Sequence, residues 1–236
     1  MSGQAESGAG LALTLDTSLT ANVAFTDGAR VLGTASEDAP RRHAEDLGAM
    51  VEGAARDAGL LGPLKDLGVT SVCVGTGPGS FTAVRAGLSF GRAVARGLGV
   101  PAYGIPSLDG FARNVFDRHP TATTVTVITD ARRREVFWAR YSPLGGDDVE
   151  ATVPPTVGPL EDALAGAEAE TGGSHLVAVD PALLGDVPRG EHVIPVEVDA
   201  STLARIAASR LAHEGALPVE PIYLRRPDVH VPKPRG

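Results

Sequence analysis

Two aspartates occupy matching places in the chain. Asp16 closes the apolar run 11–16, and Asp130 follows the β-branched run 124–129. Each is succeeded by a short turn and a second apolar run, at 22–26 and 135–141. Carboxylates at two strand ends can face one cleft and hold a magnesium-bound phosphate between them. A turn that wraps phosphate needs glycines after such aspartates, so that backbone N–H groups can close on the ligand. Here the following residues are Thr17-Ser18-Leu19 and Ala131-Arg132-Arg133. Asp16 and Asp130 therefore read as remnants of a degenerate phosphate site. The plainer reading of Asp16 is a turn acceptor that bonds nearby backbone N–H groups.

The second candidate is the run Gly75-Thr76-Gly77-Pro78-Gly79-Ser80. It lies between the apolar run 71–74 and a helical stretch, a position from which glycine loops often bind anions. Yet it matches neither G-x-G-x-x-G nor G-x-x-x-x-G-K-[ST], and no lysine follows. It is also not the G-x-S-x-G elbow of a serine nucleophile. Gly75, Gly77, Pro78, Gly79 and Ser80 thus read as a structural turn, with Ser80 or Thr82 capping the helix. Cys73, the one cysteine, sits in an apolar run and reads as a small core residue. His43 has Leu47, not a second histidine, four positions on, so a helical metal-binding pair is missing. Gly172-Gly173 reads as a surface loop rather than an adenosine-contacting turn. No catalytic residue, metal ligand or tightly bound cofactor is expected.

These groups need elements to hold them. Runs at 11–16, 22–26 and 30–36 form a predicted antiparallel meander, with Asp27-Gly28 as a hairpin turn. A helix over 43–58 follows, with Leu47, Met50, Val51 and Ala54 on one face. Then come a strand at 71–74, a helix at 82–98, a strand at 100–105 and a helix from Ser107 to about residue 116. The same order restarts with strands at 124–129 and 135–141. It continues with a proline-interrupted edge strand at 149–157, a helix at 159–169, strands at 176–179 and 193–198, and a helix at 201–213. This outline predicts an α/β fold made of a duplicated ribonuclease-H-like unit, as in the actin-like ATPase superfamily, with two mixed-sheet lobes. The expected organisation is a disordered start at 1–10, lobes at 11–105 and 106–217, and a proline-rich basic tail at 218–236.

The helix at 82–98 carries small residues every fourth position: Ala83, Gly87, Gly91 and Ala95. Such a stripe lets another element approach closely. It can pack on the protein's own sheet or receive a partner helix, and the sequence leaves both open. Arg85 and Arg92 flank it and could form rim ion pairs. Arg132, Arg133 and Arg134 form the densest basic cluster, joined in composition by Arg225, Arg226, Lys233 and Arg235. It reads as a solvated hairpin tip first, and as an accessory contact for nucleic-acid phosphates second.

Composition sets outer bounds. A net charge of −8 over 236 residues excludes a surface that is basic throughout. One cysteine excludes an internal disulfide. No apolar run reaches the ~20 residues of a membrane span, and residues 1–10 lack a basic segment followed by an apolar one. A cytoplasmic protein with no membrane contact is expected.

At Asp16-Thr17-Ser18, His43, the run from Gly75 to Ser89, Thr129 to Trp138 and Pro221 to Arg225, the chain resembles the TsaB (YeaZ) family, in the right order over nearly its whole length. It departs from the usual family turn at Thr76, where Arg is common, and at Ala83, where Gly is common. The resemblance implies a non-catalytic subunit for threonylcarbamoylation of the adenosine beside the anticodon of certain tRNAs. It implies pairing with the catalytic subunit TsaD through the two helices of the first lobe, with the ATPase TsaE joining and tRNA met through the complex. The interface residues it suggests are Leu47, Met50, Val51, Ala54, Ala83, Arg85, Gly87, Gly91, Arg92 and Val94. A nucleotide at the joint with TsaD and a homodimer without the partner are compatible with it. An independent actin-like ATPase or small-molecule kinase is the alternative, and a metallopeptidase a third.

Overall fold

The computed structural model describes residues 10–37, 46–165, 174–187, 192–213 and 217–225. Its first sheet is built from β1 (Leu11–Asp16), β2 (Asn22–Asp27), β3 (Arg30–Ser36), β4 (Ser71–Gly75) and β5 (Ala102–Ile105). The order is β3-β2-β1-β4-β5, antiparallel from β3 to β1 and parallel from β1 to β5. The second sheet contains β6 (Ala122–Asp130), β7 (Val136–Leu144), β8 (Asp148–Gly158), β9 (Ser174–Val179) and β10 (Val193–Pro195). Its order, β8-β7-β6-β9-β10, has the same pattern of antiparallel and parallel neighbours. The duplication expected from the repeated strand-Asp-turn-strand pattern is thus present at the level of topology. β8 runs through Pro154 and Pro155 because it is an edge strand, where a missing N–H breaks no ladder.

The helices are α1 (Leu47–Asp57), α2 (Phe81–Leu98), α3 (Ser107–Arg118), α4 (Leu160–Leu164) and α5 (Thr202–Leu211). α1 and α2 cover one face of the first sheet, burying Leu47, Val51, Ala54, Val84 and Leu88 against Leu13, Leu15, Val23, Phe25, Val72 and Val74. α3 leaves the first sheet but packs on the second, through Leu108, Phe111, Ala112 and Val115. α5 follows the second sheet but packs back on the first, with Leu203, Ile206 and Ala207 against Cys73 and Ile105. Each lobe is thereby closed by a helix that the other lobe's chain delivers. Burial pushes the Cys73 thiol up to about 12, in keeping with its reading as a core residue.

A buried polar network fixes this crossing. Arg210 of α5 reaches Asp148 and Asp109 at 2.8 Å each, and the Tyr141 hydroxyl donates to Asp109 at 2.8 Å. Burial raises the Asp109 carboxyl, and Arg210 and Tyr141 pull it back. Arg205 spans Asp117 and Asp147. Buried charges are tolerated only when paired in this way.

Several local expectations are corrected. Ser80 stands at the N-cap of α2, but its hydroxyl makes no capping bond. α3 does start at Ser107, behind an N-cap at Pro106, and the Ser107 hydroxyl accepts the Gly77 N–H at 3.0 Å. His43 and Gly172-Gly173 lie outside the described residues, as do Arg226, Lys233 and Arg235. No helix among the described residues is long and apolar enough to cross a membrane.

Candidate functional site

The two strand-end turns meet across a cleft of about 730 Å³ between the lobes. The first lobe contributes Ser18–Thr20 and the start of α2; the second contributes 130–133 and 180–182. The C-terminal segment 222–225 lies along it.

Asp16 does not open into this cleft. It is 1% exposed, and its Oδ1 accepts the Ser18 N–H at 2.7 Å and the Ser18 hydroxyl at 2.6 Å. Burial pushes its carboxyl upward, and hydrogen bonds from Ser107 and Ser18 oppose that shift. Gly75 explains the seal. A Cβ there would stand 1.8 Å from Asp16 Oδ2, so only glycine lets β4 pass this close. Asp16 is a turn acceptor, and a role for it as a remnant phosphate ligand is corrected by this burial. Asp130 repeats the local geometry, with Oδ1 accepting the Arg132 N–H at 2.7 Å. Its Oδ2 meets the Arg132 guanidinium at 3.1 Å, and its side chain is 23% exposed. Asp180 caps its own turn through Ala182 N at 2.9 Å and accepts the Asp130 N–H at 3.3 Å.

The small-residue stripe of α2 faces inward. A Cβ on Gly87 would come within 2.4 Å of Thr17 Oγ1, and one on Gly91 within 2.5 Å of Val74 Cγ2. Thr17 itself donates to the Ala83 carbonyl at 2.7 Å. Ala83, Gly87 and Gly91 are therefore contacts of the protein with its own sheet, not a surface for a partner. The same correction applies to Leu47, Val51 and Ala54, which are buried in the first-lobe core; Met50 and Val94 pack partly against it. Of the suggested interface residues, Arg85 and Arg92 are exposed. What α1 and α2 do present is a groove of about 430 Å³, with Gly48, Glu52 and Arg56 on α1, Phe90 on α2, and Leu61 just beyond α1. Leu61 is 83% exposed.

Among the described residues no three or more His, Cys, Asp or Glu side chains are disposed to hold a metal. The site's chemistry is that of turns, helix surfaces and a cleft wall.

A family model described as TsaD, tRNA N6-adenosine threonylcarbamoyltransferase, matches residues 19–176. Two solved structures from Pseudomonas aeruginosa share the fold. One, an uncharacterized protein with similarity to peptidase YEAZ, has a TM-score of 0.75 and 27% identity over 91% of this chain and 99% of that one. The other, YeaZ, has a TM-score of 0.74 and 25% identity over the same shares. The tRNA threonylcarbamoyladenosine biosynthesis protein TsaB of Escherichia coli is 32% identical over 123 residues, 50% of this chain and 51% of its own. The chain belongs to the TsaB (YeaZ) family. A Mycobacterium tuberculosis relative, described as uncharacterized, is 39% identical over 200 residues, 84% of this chain and 82% of that protein.

Within this TsaB-family chain, two contacts beside the cleft were not readable from the sequence. One is Thr17, which fixes α2 on the β1–β2 turn and looks like any turn threonine in sequence. The other is the pairing of Phe81 with Tyr223, whose ring centroids are 5.3 Å apart. Nothing local announces a contact between residues so far apart in the chain.

Proposed function

We propose that this chain is a non-catalytic subunit in tRNA threonylcarbamoyladenosine biosynthesis that binds and activates a TsaD-type catalytic subunit. Its relatives in Escherichia coli and Haemophilus influenzae carry that pathway in their names. The observation that carries the reading is the α1–α2 surface. Leu61 stands 83% exposed and lines, with Phe90, a groove on a lobe whose glycine stripe is turned inward. An exposed leucine beside an apolar groove is the anatomy of an interface centre, and Arg85 and Arg92 on the outer face of α2 supply a polar rim. α2 holds three arginines and no acidic residue, so its outer face favours a partner of opposite charge.

The partner is TsaD, with TsaE joining the pair and tRNA reached through the complex, in the cytoplasm. A homodimer through this surface would set like charges against each other, which makes it the weaker assembly. The activity belongs to the partner, and the subunit holds no tightly bound cofactor. A nucleotide at the joint with TsaD fits the same arrangement.

The test is titration calorimetry with TsaD. Leu61→Asp with Arg92→Glu should weaken binding at least about tenfold, since central contacts dominate interface energy. It should also lower tRNA modification in a reconstituted assay while leaving the thermal midpoint near that of the parent. Unchanged affinity in the folded double variant would mean that the partner docks elsewhere.

A further inference from the structure

The chain has only ten aromatic residues, counting Phe, Tyr and Trp. Among the described residues the exposed ones are Phe81, at 39%, and Tyr223, at 48%. They lie against each other, tilted by 31°, and both line the interlobe cleft. The Arg85 guanidinium sits 5.0 Å from the Phe81 ring centroid. Across the cleft, Arg132 keeps its side chain 86% exposed while touching Asp130.

Tyr223 is held there from both sides. Ile222 N–H donates to the Thr76 carbonyl at 2.9 Å in the first lobe. Arg225 donates to the Ala131 carbonyl at 3.1 Å in the second lobe and pairs with Glu135. The C-terminal segment is thus a strap that fixes an aromatic platform at the cleft mouth. An aromatic platform fixed in advance costs little ordering entropy on binding.

We propose that this platform takes one unpaired nucleotide of an RNA strand. The base stacks on the Phe81–Tyr223 pair, and the flanking phosphates lie at the rim beside Arg85 and Arg132. Stacking on aromatic faces with arginines along the backbone is how proteins hold single-stranded RNA. The cleft floor argues against a free triphosphate. Asp130 and Asp180 line it, Asp16 is sealed beneath it, and no glycine follows either strand-end aspartate to wrap phosphates. A ligand that keeps its phosphates at the rim and inserts only a base needs neither a glycine turn around phosphate nor a second open carboxylate. The proposal rests on the reading above that the chain serves tRNA modification, and extends it from the partner to the RNA.

The experiment uses the full chain, alone and bound to TsaD, with a fluorescein-labelled A-rich RNA hexamer read by anisotropy. Tyr223→Ala should weaken RNA binding about tenfold, the scale of one lost base stack. Arg132→Ala should weaken it less and flatten its salt dependence. Both variants should keep the parent's TsaD affinity and thermal midpoint, which separates failure here from failure of the docking surface. The proposal is overturned if the hexamer does not bind, if Tyr223→Ala binds it as the parent does, or if Mg-ATP displaces it with higher affinity than the RNA.

Discussion

The β1–β2 turn and the β6–β7 turn begin with the same device and end in different environments. In each, a strand-end aspartate accepts the N–H two residues on, at 2.7 Å in both lobes. Each turn also spans the same number of residues between its strands, from Asp16 to Asn22 and from Asp130 to Val136. What differs is what lies against them. Gly75 and Gly87 let β4 and α2 close over the first turn, leaving Asp16 at 1% exposure. The second turn carries Arg132, Arg133 and Arg134 at φ of 65°, 57° and 65°, and stays open to the cleft. One motif, duplicated, has become a structural lock in one lobe and a cleft wall in the other. Local hydrogen bonding sets the turn, and the neighbour's side-chain size decides whether it can meet a ligand.

The strongest way to break the comparison is to refill the space that seals the first turn. Gly87→Trp should unfold or strongly destabilise the first lobe, by about 3 kcal/mol or more, because its side chain must displace the buried Thr17, which a Cβ alone would already meet at 2.4 Å. Denaturant midpoints check this. A folded Gly87→Trp protein of parental stability would mean that the stripe faces outward after all. Next in size is the pair of aspartates. Asp16→Ala leaves the Ser18 N–H and hydroxyl without their buried acceptor and should cost about 1–3 kcal/mol. Asp130→Ala should cost less than about 1 kcal/mol, since its arginine partner is 86% exposed and screened by water. Equal losses at the two positions would remove the distinction between lock and wall.

The sealed first turn has a pH signature. The Asp16 carboxyl is raised in the folded state, chiefly by burial, so the folded protein holds its proton more tightly than the unfolded chain does. Stability from this group is therefore fullest below the unfolded value near 3.8 and is lost as pH rises through the raised folded value. Asp16→Asn keeps the Oδ1 acceptor and removes the titration. Its stability relative to the parent should improve between pH 4 and pH 7. Urea melts at both pH values decide it. A parent-to-variant difference that stays constant would show that Asp16 is not the group that titrates.

Much of this architecture was legible in the chain. The β-branched runs, the two strand-end aspartates and the Asp27-Gly28 turn are local signals, and they place the strands and the duplication. The direction of the glycine stripe was not legible. Ala83, Gly87 and Gly91 look the same in sequence whether they meet a partner or Thr17 and Val74. The crossing of α3 and α5 was equally hidden, because Arg210 finds Asp148 from 62 positions away. The Phe81–Tyr223 platform depends on the strap's two anchors, a backbone bond from Ile222 to Thr76 and the Arg225 guanidinium on Ala131 and Glu135, whose partners lie far away in the chain. Turn chemistry is written locally, but which turn is covered depends on what the rest of the chain brings to it.

The smallest effect concerns the strain that the open turn carries. Three successive arginines hold left-handed backbone angles, where an L side chain costs about 1–2 kcal/mol. Arg132 binds Asp130, so replacing it mixes two effects. Arg134 is exposed at φ 65° and separates them. Arg134→Gly removes the steric cost but adds unfolded-chain entropy of about 0.5–1 kcal/mol, so the net should be a gain of about 0.5 kcal/mol. A small upward shift of the thermal midpoint, with RNA affinity little changed, is the expected result. A downward shift would mean that the Arg134 side chain holds the second turn in place, and that this turn, like the first, is fixed by a contact beyond its own aspartate.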